Sequence, residues 1–190
     1  MIETVKQVNW VDLLALILLV RIIYISPKTG LPSEIFKLLG TISAIYLSLH
    51  YFLVFSDFMA VKLYLKFLPI DLLDFISFIL LALCGYLAFF ILREFFNRLI
   101  KMEPVAGVAR WGSVCLGTLR GFLCAGLIIS VLAVSGIAYI RNSINDSFSG
   151  STMLKLATGV YSALWNGLVS KFATSEKINE SVFNLSQKLQ

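Results

Sequence analysis

The chain has 190 residues, of which 58% are hydrophobic and 14% charged, and its mean hydropathy is +0.87. Soluble domains are about 45–50% apolar and about 25% charged, so a soluble protein of this length could not bury so much apolar surface. This composition excludes an ordinary cytosolic enzyme, a disordered tail and a nucleic-acid-binding module. The net charge of +5 then indicates contacts with lipid headgroups.

Four apolar runs follow one another along the chain, and each is long enough to cross a bilayer, which takes about 17–25 helical residues. They cover about residues 8–25, 35–55, 72–92 and 113–140. All four prolines lie in the connections, where they do not interrupt a membrane helix. We therefore expect an all-α integral membrane protein, with a bundle of four transmembrane helices in residues 1–141. The first run lacks a preceding basic region and a cleavage site, so we expect a retained helix rather than a signal peptide.

Amphipathic segments are predicted outside the four runs. The connection at 56–71 carries apolar residues at helical spacing, which predicts an interfacial helix: Phe58, Val61, Leu65 and Leu68. Residues 142–190 predict an amphipathic helical tail that follows a loop at 141–151. A short last helix is predicted by Ile178, Val182, Leu185 and Leu189.

The first tail helix has one apolar face, formed by Leu154, Ala157, Tyr161, Leu164, Leu168 and Phe172. We expect this helix to lie in the membrane interface or to pack on the bundle, with Trp165 at headgroup depth. A fifth crossing at 152–173 is the alternative. Asn166 disfavours it, because a polar side chain is costly in a lone membrane helix.

Lysine and arginine predict the orientation. Basic residues are concentrated in the first and third connections: Arg21, Lys28 and Lys37, and then Arg93, Arg98, Lys101, Arg110 and Arg120. Cytoplasmic loops carry the excess of positive charge, so these two connections are expected in the cytoplasm. Both termini, including the tail, are then extracytoplasmic.

Small residues form two strips at four-residue spacing. The fourth run carries Ser113, Gly117, Gly121 and Ala125, and the second run carries Gly40, Ala44 and Ser48. Small side chains let membrane helices approach closely, where van der Waals packing drives association. We expect the second and fourth helices to pack on each other along these strips.

Charged residues inside the apolar runs are the second group of candidates. Arg120 is expected to extend to the cytoplasmic headgroups, or to pair with Glu34 or Glu94, and a transport role is the third possibility. Near the opposite face, topology gathers Asp12, His50, Asp74 and Arg141. They suggest a proton relay, an Asp–Arg pair, or simple solvation at the interface.

Signatures of enzymatic chemistry are missing from the sequence. It has one histidine, three cysteines without paired spacing, and no nucleotide, zinc-protease or serine-hydrolase motif. We therefore expect no catalytic residues, no metal and no cofactor.

Several short motifs, taken in order, resemble the colicin V production protein family of bacterial inner-membrane proteins. They are Asn9-Trp10-Val11-Asp12, then Gly30-Leu31 with Glu34 and the run from Lys37 to Gly40, and finally Arg110-Trp-Gly-Ser113-x-x-x-Gly117-Thr-Leu-Arg120-Gly121. The resemblance covers about residues 8–165. Ser113 stands where the family usually has glycine, and Ala109 stands where an acidic residue often precedes the arginine.

The resemblance implies a multi-pass component of the bacterial cytoplasmic membrane that serves the production or export of a peptide toxin, with a broader envelope role elsewhere. Some members carry a protease domain after the last span, and we expect none here, so no proteolytic activity is carried over from them. A non-enzymatic scaffold or accessory export factor is the first hypothesis. A small transporter or channel subunit is the second. The expected partners are membrane lipid and other membrane proteins or a second copy, without nucleic acid.

Overall fold

The computed structural model describes residues 9–62, 64, 67–99, 106–172, 178–179 and 182. Every regular element among them is helical, as the composition and spacing predict. The helices are α1 (Trp10–Thr29), α2 (Leu31–Lys62), α3 (Ile70–Leu99), α4 (Ala106–Val134), α5 (Ala138–Asn145), α6 (Phe148–Leu164), a π-helical turn (Trp165–Val169) and α7 (Ser170–Phe172).

Helices α1 to α4 are each long and apolar enough to cross a membrane, which confirms the four predicted long apolar helices. Their mean hydropathy over an 18-residue window is 1.7 to 2.6. Much of this apolar surface points outward, including Leu16 and Ile17 on α1 and Leu83 and Ile91 on α3. An outward apolar face is what lipid requires of a membrane helix.

Two predicted features of the connections are wrong. Helix α2 continues to Lys62, so Phe58 and Val61 extend it instead of forming an interfacial helix, because nothing in that stretch breaks a helix. Pro27 lies inside the last turn of α1 and Pro32 is the second residue of α2, so these prolines are within helices. A proline is tolerated in the first turn of a helix, where its missing N–H has no intrahelical partner.

The end of the fourth run also differs from the prediction. Helix α4 stops at Val134, and Gly136 adopts a φ of +71°, which favours glycine and turns the chain. The predicted loop at 141–151 is mostly helical, because α5 covers its first part and α6 starts at Phe148. Ser147 begins α6 by accepting a hydrogen bond from the Gly150 N–H.

Two hydrophobic clusters hold the helices together, and α6 contributes to both. One cluster joins α1, α4, α5 and α6, with Val11, Ala125, Ile144 and Leu154 among its members. The other joins α2, α3, α4 and α6, with Ile45, Phe78, Leu123 and Tyr161 among its members. Helix α6 therefore packs on the bundle, and the predicted division at residue 141 falls inside α5.

Some sequence predictions fall outside the part of the chain that the structure describes. They concern Leu65, Pro104, Leu185 and Leu189, and the side chains of Ala109, Leu168 and Phe172.

The two ends of the bundle differ in charge. Only Gly30, with a φ of +79°, separates α1 from α2, and the end of α3 and the first half of α4 lie at the same end. We call this the basic end, because it carries Lys28, Lys37, Arg93, Arg98, Arg110 and Arg120. The opposite end carries Asp12, Asp57, Asp71 and Asp74, with Lys62 and Arg141 as its basic residues.

Candidate functional site

The Glu34 carboxylate is the centre of a buried charge cluster at the basic end. Glu34 lies in the first turn of α2 and is 0% exposed. Its Oε1 accepts hydrogen bonds from Thr29 Oγ1 at 2.5 Å and from Lys37 Nζ at 2.8 Å. Its Oε2 forms an ion pair with Arg120 Nη2 at 3.0 Å. The cluster thus joins the end of α1, the start of α2 and the first half of α4.

Arg120 reaches this cluster from inside the bundle. Side chains of a helix tilt toward its N-terminus, so Arg120 of α4 points toward the basic end, where Glu34 lies. Arg120 is 8% exposed. The predicted extension to the headgroups is therefore wrong, and the alternative partner Glu34 is found. The other candidate, Glu94, pairs with Arg98 at 3.6 Å.

Two small residues on α4 let α1 close over the charge cluster. A Cβ added at Gly117 would overlap the Ser26 hydroxyl and lie 3.7 Å from Glu34 Oε2. Ser26 Oγ donates a hydrogen bond to the Ser113 carbonyl oxygen. The close approach of the backbones keeps water from the pair, which strengthens its attraction.

The two small-residue strips face other helices than predicted. The α4 strip faces α1: Gly121 lies against Leu19, and Ala125 packs in the cluster that contains Val11. The α2 strip faces α3: Gly40 lies against Phe89. The predicted pairing of the two strips with each other is wrong, because four-residue spacing defines a narrow face without defining the helix that covers it.

Gly85 of α3 is a packing residue that sequence reasoning missed. A Cβ at Gly85 would lie 2.8 Å from Ala44 Cα and 2.9 Å from Ala44 N. The α2 and α3 backbones therefore meet at this point. A lone glycine inside an uninterrupted apolar run is the signal that could have identified it. Ser48, one turn beyond Ala44, is buried and donates to the Ala44 carbonyl oxygen at 2.7 Å.

At the opposite end, the Asn9-Trp10-Val11-Asp12 motif attaches the tail helices to α1. The Asp12 carboxylate accepts hydrogen bonds from Ser149 N at 2.7 Å, Ser149 Oγ at 2.5 Å and Phe148 N at 3.3 Å. A carboxylate at a helix N-terminus satisfies free N–H groups and complements the helix dipole. Asn9 Nδ2 donates to the Ser143 carbonyl oxygen.

The other ionisable residues of that face have separate contacts. His50 Nδ1 lies 2.8 Å from Tyr161 Oη, and its ring stacks on Trp165 with centroids 5.2 Å apart. Trp165 is buried against this ring, and its predicted position at headgroup depth stays a prediction. Asp74 hydrogen-bonds with Ser56. The contacts described for Asp12, His50 and Asp74 are thus made with different residues.

The remaining candidates have simple positions. Gly30 joins α1 to α2, and Arg110 is exposed near the start of α4. Arg141 is half-buried in α5. Among the described residues, no group of histidine, cysteine, aspartate and glutamate could hold a metal ion.

Four helices that are long and apolar enough to cross a membrane suggest a helical membrane protein. The family model of the colicin V production protein matches residues 11–158, which is more than half of the chain. The chain therefore belongs to the colicin V production protein family. It has no significant match among curated proteins or among solved structures.

Proposed function

We propose that this protein is a non-enzymatic accessory or scaffold factor of the cytoplasmic membrane that serves toxin production or export. Its family supports a role in colicin V production, and its four apolar helices support a place in the membrane. Its proposed partners are membrane lipid and other membrane proteins or a second copy of the chain.

The pairing of Glu34 is the observation that carries the scaffold proposal. The buried carboxylate is surrounded by Thr29, Lys37 and Arg120, which all belong to the same chain. A transport path needs ionisable groups that face water or a passing ion. Ion pairs made between the helices of the bundle favour a structural role, and they leave the outer apolar faces for contacts with partners.

A pair of functional assays tests this proposal. In a toxin-producing host, deletion of the gene is expected to lower toxin release, and the intact chain is expected to restore it. The purified protein in proteoliposomes is expected to pass ions and protons no faster than empty liposomes. A flux that disappears in Arg120→Met would contradict the scaffold role and favour the transporter alternative.

We further propose that the basic end faces the cytoplasm and that both termini are extracytoplasmic. The supporting observation is the concentration of Lys28, Arg93, Arg98 and Arg110 at this end. Single cysteines placed at Lys28 and at Asp146, in a chain with its three cysteines replaced by alanine, test this orientation. In intact spheroplasts, a membrane-impermeant maleimide should label the cysteine at 146 and spare the one at 28. The reverse labelling would invert the topology.

A further inference from the structure

A crevice between α2 and α3 at the basic end has the features of an anion site. It is a shallow surface depression lined by Phe36, Lys37, Tyr86, Phe89, Phe90 and Arg93, and the roughly 160 Å³ over it includes open solvent. The crevice has no room for a water molecule between its walls, so a ligand would lie over it and not inside it. Two cationic side chains and an aromatic wall thus meet at one opening on the side of the bundle.

Arg93 is held at this opening with hydrogen-bonding capacity to spare. Its Nη1 donates to Ser33 Oγ at 3.4 Å, and its guanidinium carbon lies 4.8 Å from the centre of the Phe90 ring. Its Nε is buried and has no hydrogen-bond partner among the described residues. In that part of the chain, no carboxylate lies within ion-pair distance of Arg93.

Among the described residues, the carboxylates near Arg93 already have cationic partners. Glu34 carries one negative charge and pairs with two cations, Lys37 and Arg120. Glu94 pairs with Arg98, one turn further along α3. Arg93 therefore adds a positive charge that no described carboxylate offsets. An uncompensated charge is costly at the edge of an apolar medium, and a bound anion would remove that cost.

We propose that this crevice binds the phosphate group of an anionic phospholipid. The guanidinium of Arg93 forms the hydrogen bonds, because its planar fork matches phosphate oxygens, and Lys37 adds positive charge. Leu87 and Ile91 are exposed apolar side chains on another face of the same helix, α3. Basic pockets between membrane helices on the cytoplasmic side suit such headgroups. This inference does not depend on the accessory role.

Phosphatidylglycerol is the probe for this site, and phosphatidylcholine is the uncharged comparison. Native mass spectrometry of the full chain, released from detergent micelles, counts the bound lipids. Arg93→Gln is expected to weaken phosphatidylglycerol binding about tenfold, because a hydrogen bond to a charged group is lost. Arg98→Gln is the matched control, since Arg98 is on the same helix and is largely exposed beside Glu94. It should leave binding unchanged.

Three outcomes would overturn the proposal. The first is equal phosphatidylglycerol binding in Arg93→Gln and the unmodified chain. The second is an equal loss in Arg93→Gln and Arg98→Gln, which would indicate general attraction of charge. The third is displacement of the lipid by millimolar inorganic phosphate alone, which would assign the crevice to a soluble anion.

A measurement on the unmodified chain covers the case in which Arg93→Gln does not fold. Phosphatidylglycerol with a photoreactive headgroup is expected to crosslink to α2 and α3 next to the crevice, around Phe36 and Phe90. Crosslinks confined to other helices would contradict the proposed site.

Discussion

Loss of the Glu34 carboxylate should destabilise the protein strongly while Arg120 remains. Glu34→Leu leaves the buried guanidinium without its carboxylate, and breaking a buried ion pair in this way costs about 3–5 kcal/mol. Thermal unfolding of the purified protein in detergent measures the effect. The double variant Glu34→Leu with Arg120→Met should recover most of the loss, because it removes both charges.

Glu94→Gln is the control for this experiment. Glu94 and Arg98 form an ion pair with 49% and 79% exposed side chains, and an exposed pair of this kind contributes about 0–1 kcal/mol. The melting temperature should therefore change little.

The double variant of Glu34 and Arg120 decides whether the two residues act as a pair. If it is destabilised by the sum of the effects of its two single variants, they do not.

At the residue scale, the sequence predicted the members of this cluster better than their contacts. The charge of Arg120 within an apolar run marks it as costly, and Glu34 was one of two named partners. The choice between headgroups and Glu34 depends on how closely α1 and α4 approach. That distance is set by Gly117 and Ser26 in three dimensions.

At the scale of helices, the close contact between the α2 and α3 backbones predicts the effect of a substitution at Gly85. Gly85→Ala should destabilise the protein by about 1–3 kcal/mol, the range measured when a well-packed core is overfilled. The new methyl group would meet the Ala44 backbone at 2.8 Å, and backbone cannot rotate away as a side chain can. Thermal unfolding and the yield of folded protein both measure the effect.

Gly159→Ala is the matched control for Gly85→Ala. Gly159 is also a helical glycine, but a Cβ there would meet nothing within 4 Å. Alanine is a better helix former than glycine by about 1 kcal/mol, so this variant should be neutral or slightly more stable. Equal stability of the two alanine variants would show that the α2–α3 backbones do not meet at Gly85.

Helix existence was predictable, whereas helix ends and neighbours were not. Long apolar runs define α1 to α4 directly, because each run is at least as long as the roughly 17–25 residues that cross a bilayer. Helix α4 ends at Val134 because Gly136 adopts a positive φ. A glycine inside an apolar run does not by itself predict such a turn. The glycines of the small-residue strips do lie at helix contacts. Which helix each strip contacts depends on the whole arrangement of helices.

At the scale of the molecule, the tail helices belong to the same hydrophobic core as the four long helices. Amphipathic spacing predicted that one face of α6 is covered. The spacing could not show that α6 packs against α1, α2 and α4, because periodicity describes one helix at a time. Met153 and Ala157 lie against Gly126 of α4, so the glycine makes room for α6.

The attachment of the tail through Asp12 gives a prediction for the whole molecule. Asp12→Ala removes the acceptor for Phe148 N and for both donor groups of Ser149, and hydrogen bonds to a charged group contribute about 1.5–3 kcal/mol each. The start of α6 should then open, and limited proteolysis should cut between α5 and α6 at a lower protease concentration. Asp146→Ala is the control, because Asp146 is exposed in the same segment.

A double variant tests whether Asp12 and Ser149 act through the same contact. Adding Ser149→Ala to Asp12→Ala should lower the protease concentration needed for cleavage only a little further, since both changes break one contact. An unchanged cleavage pattern in Asp12→Ala would show that core packing alone holds α6 on the bundle.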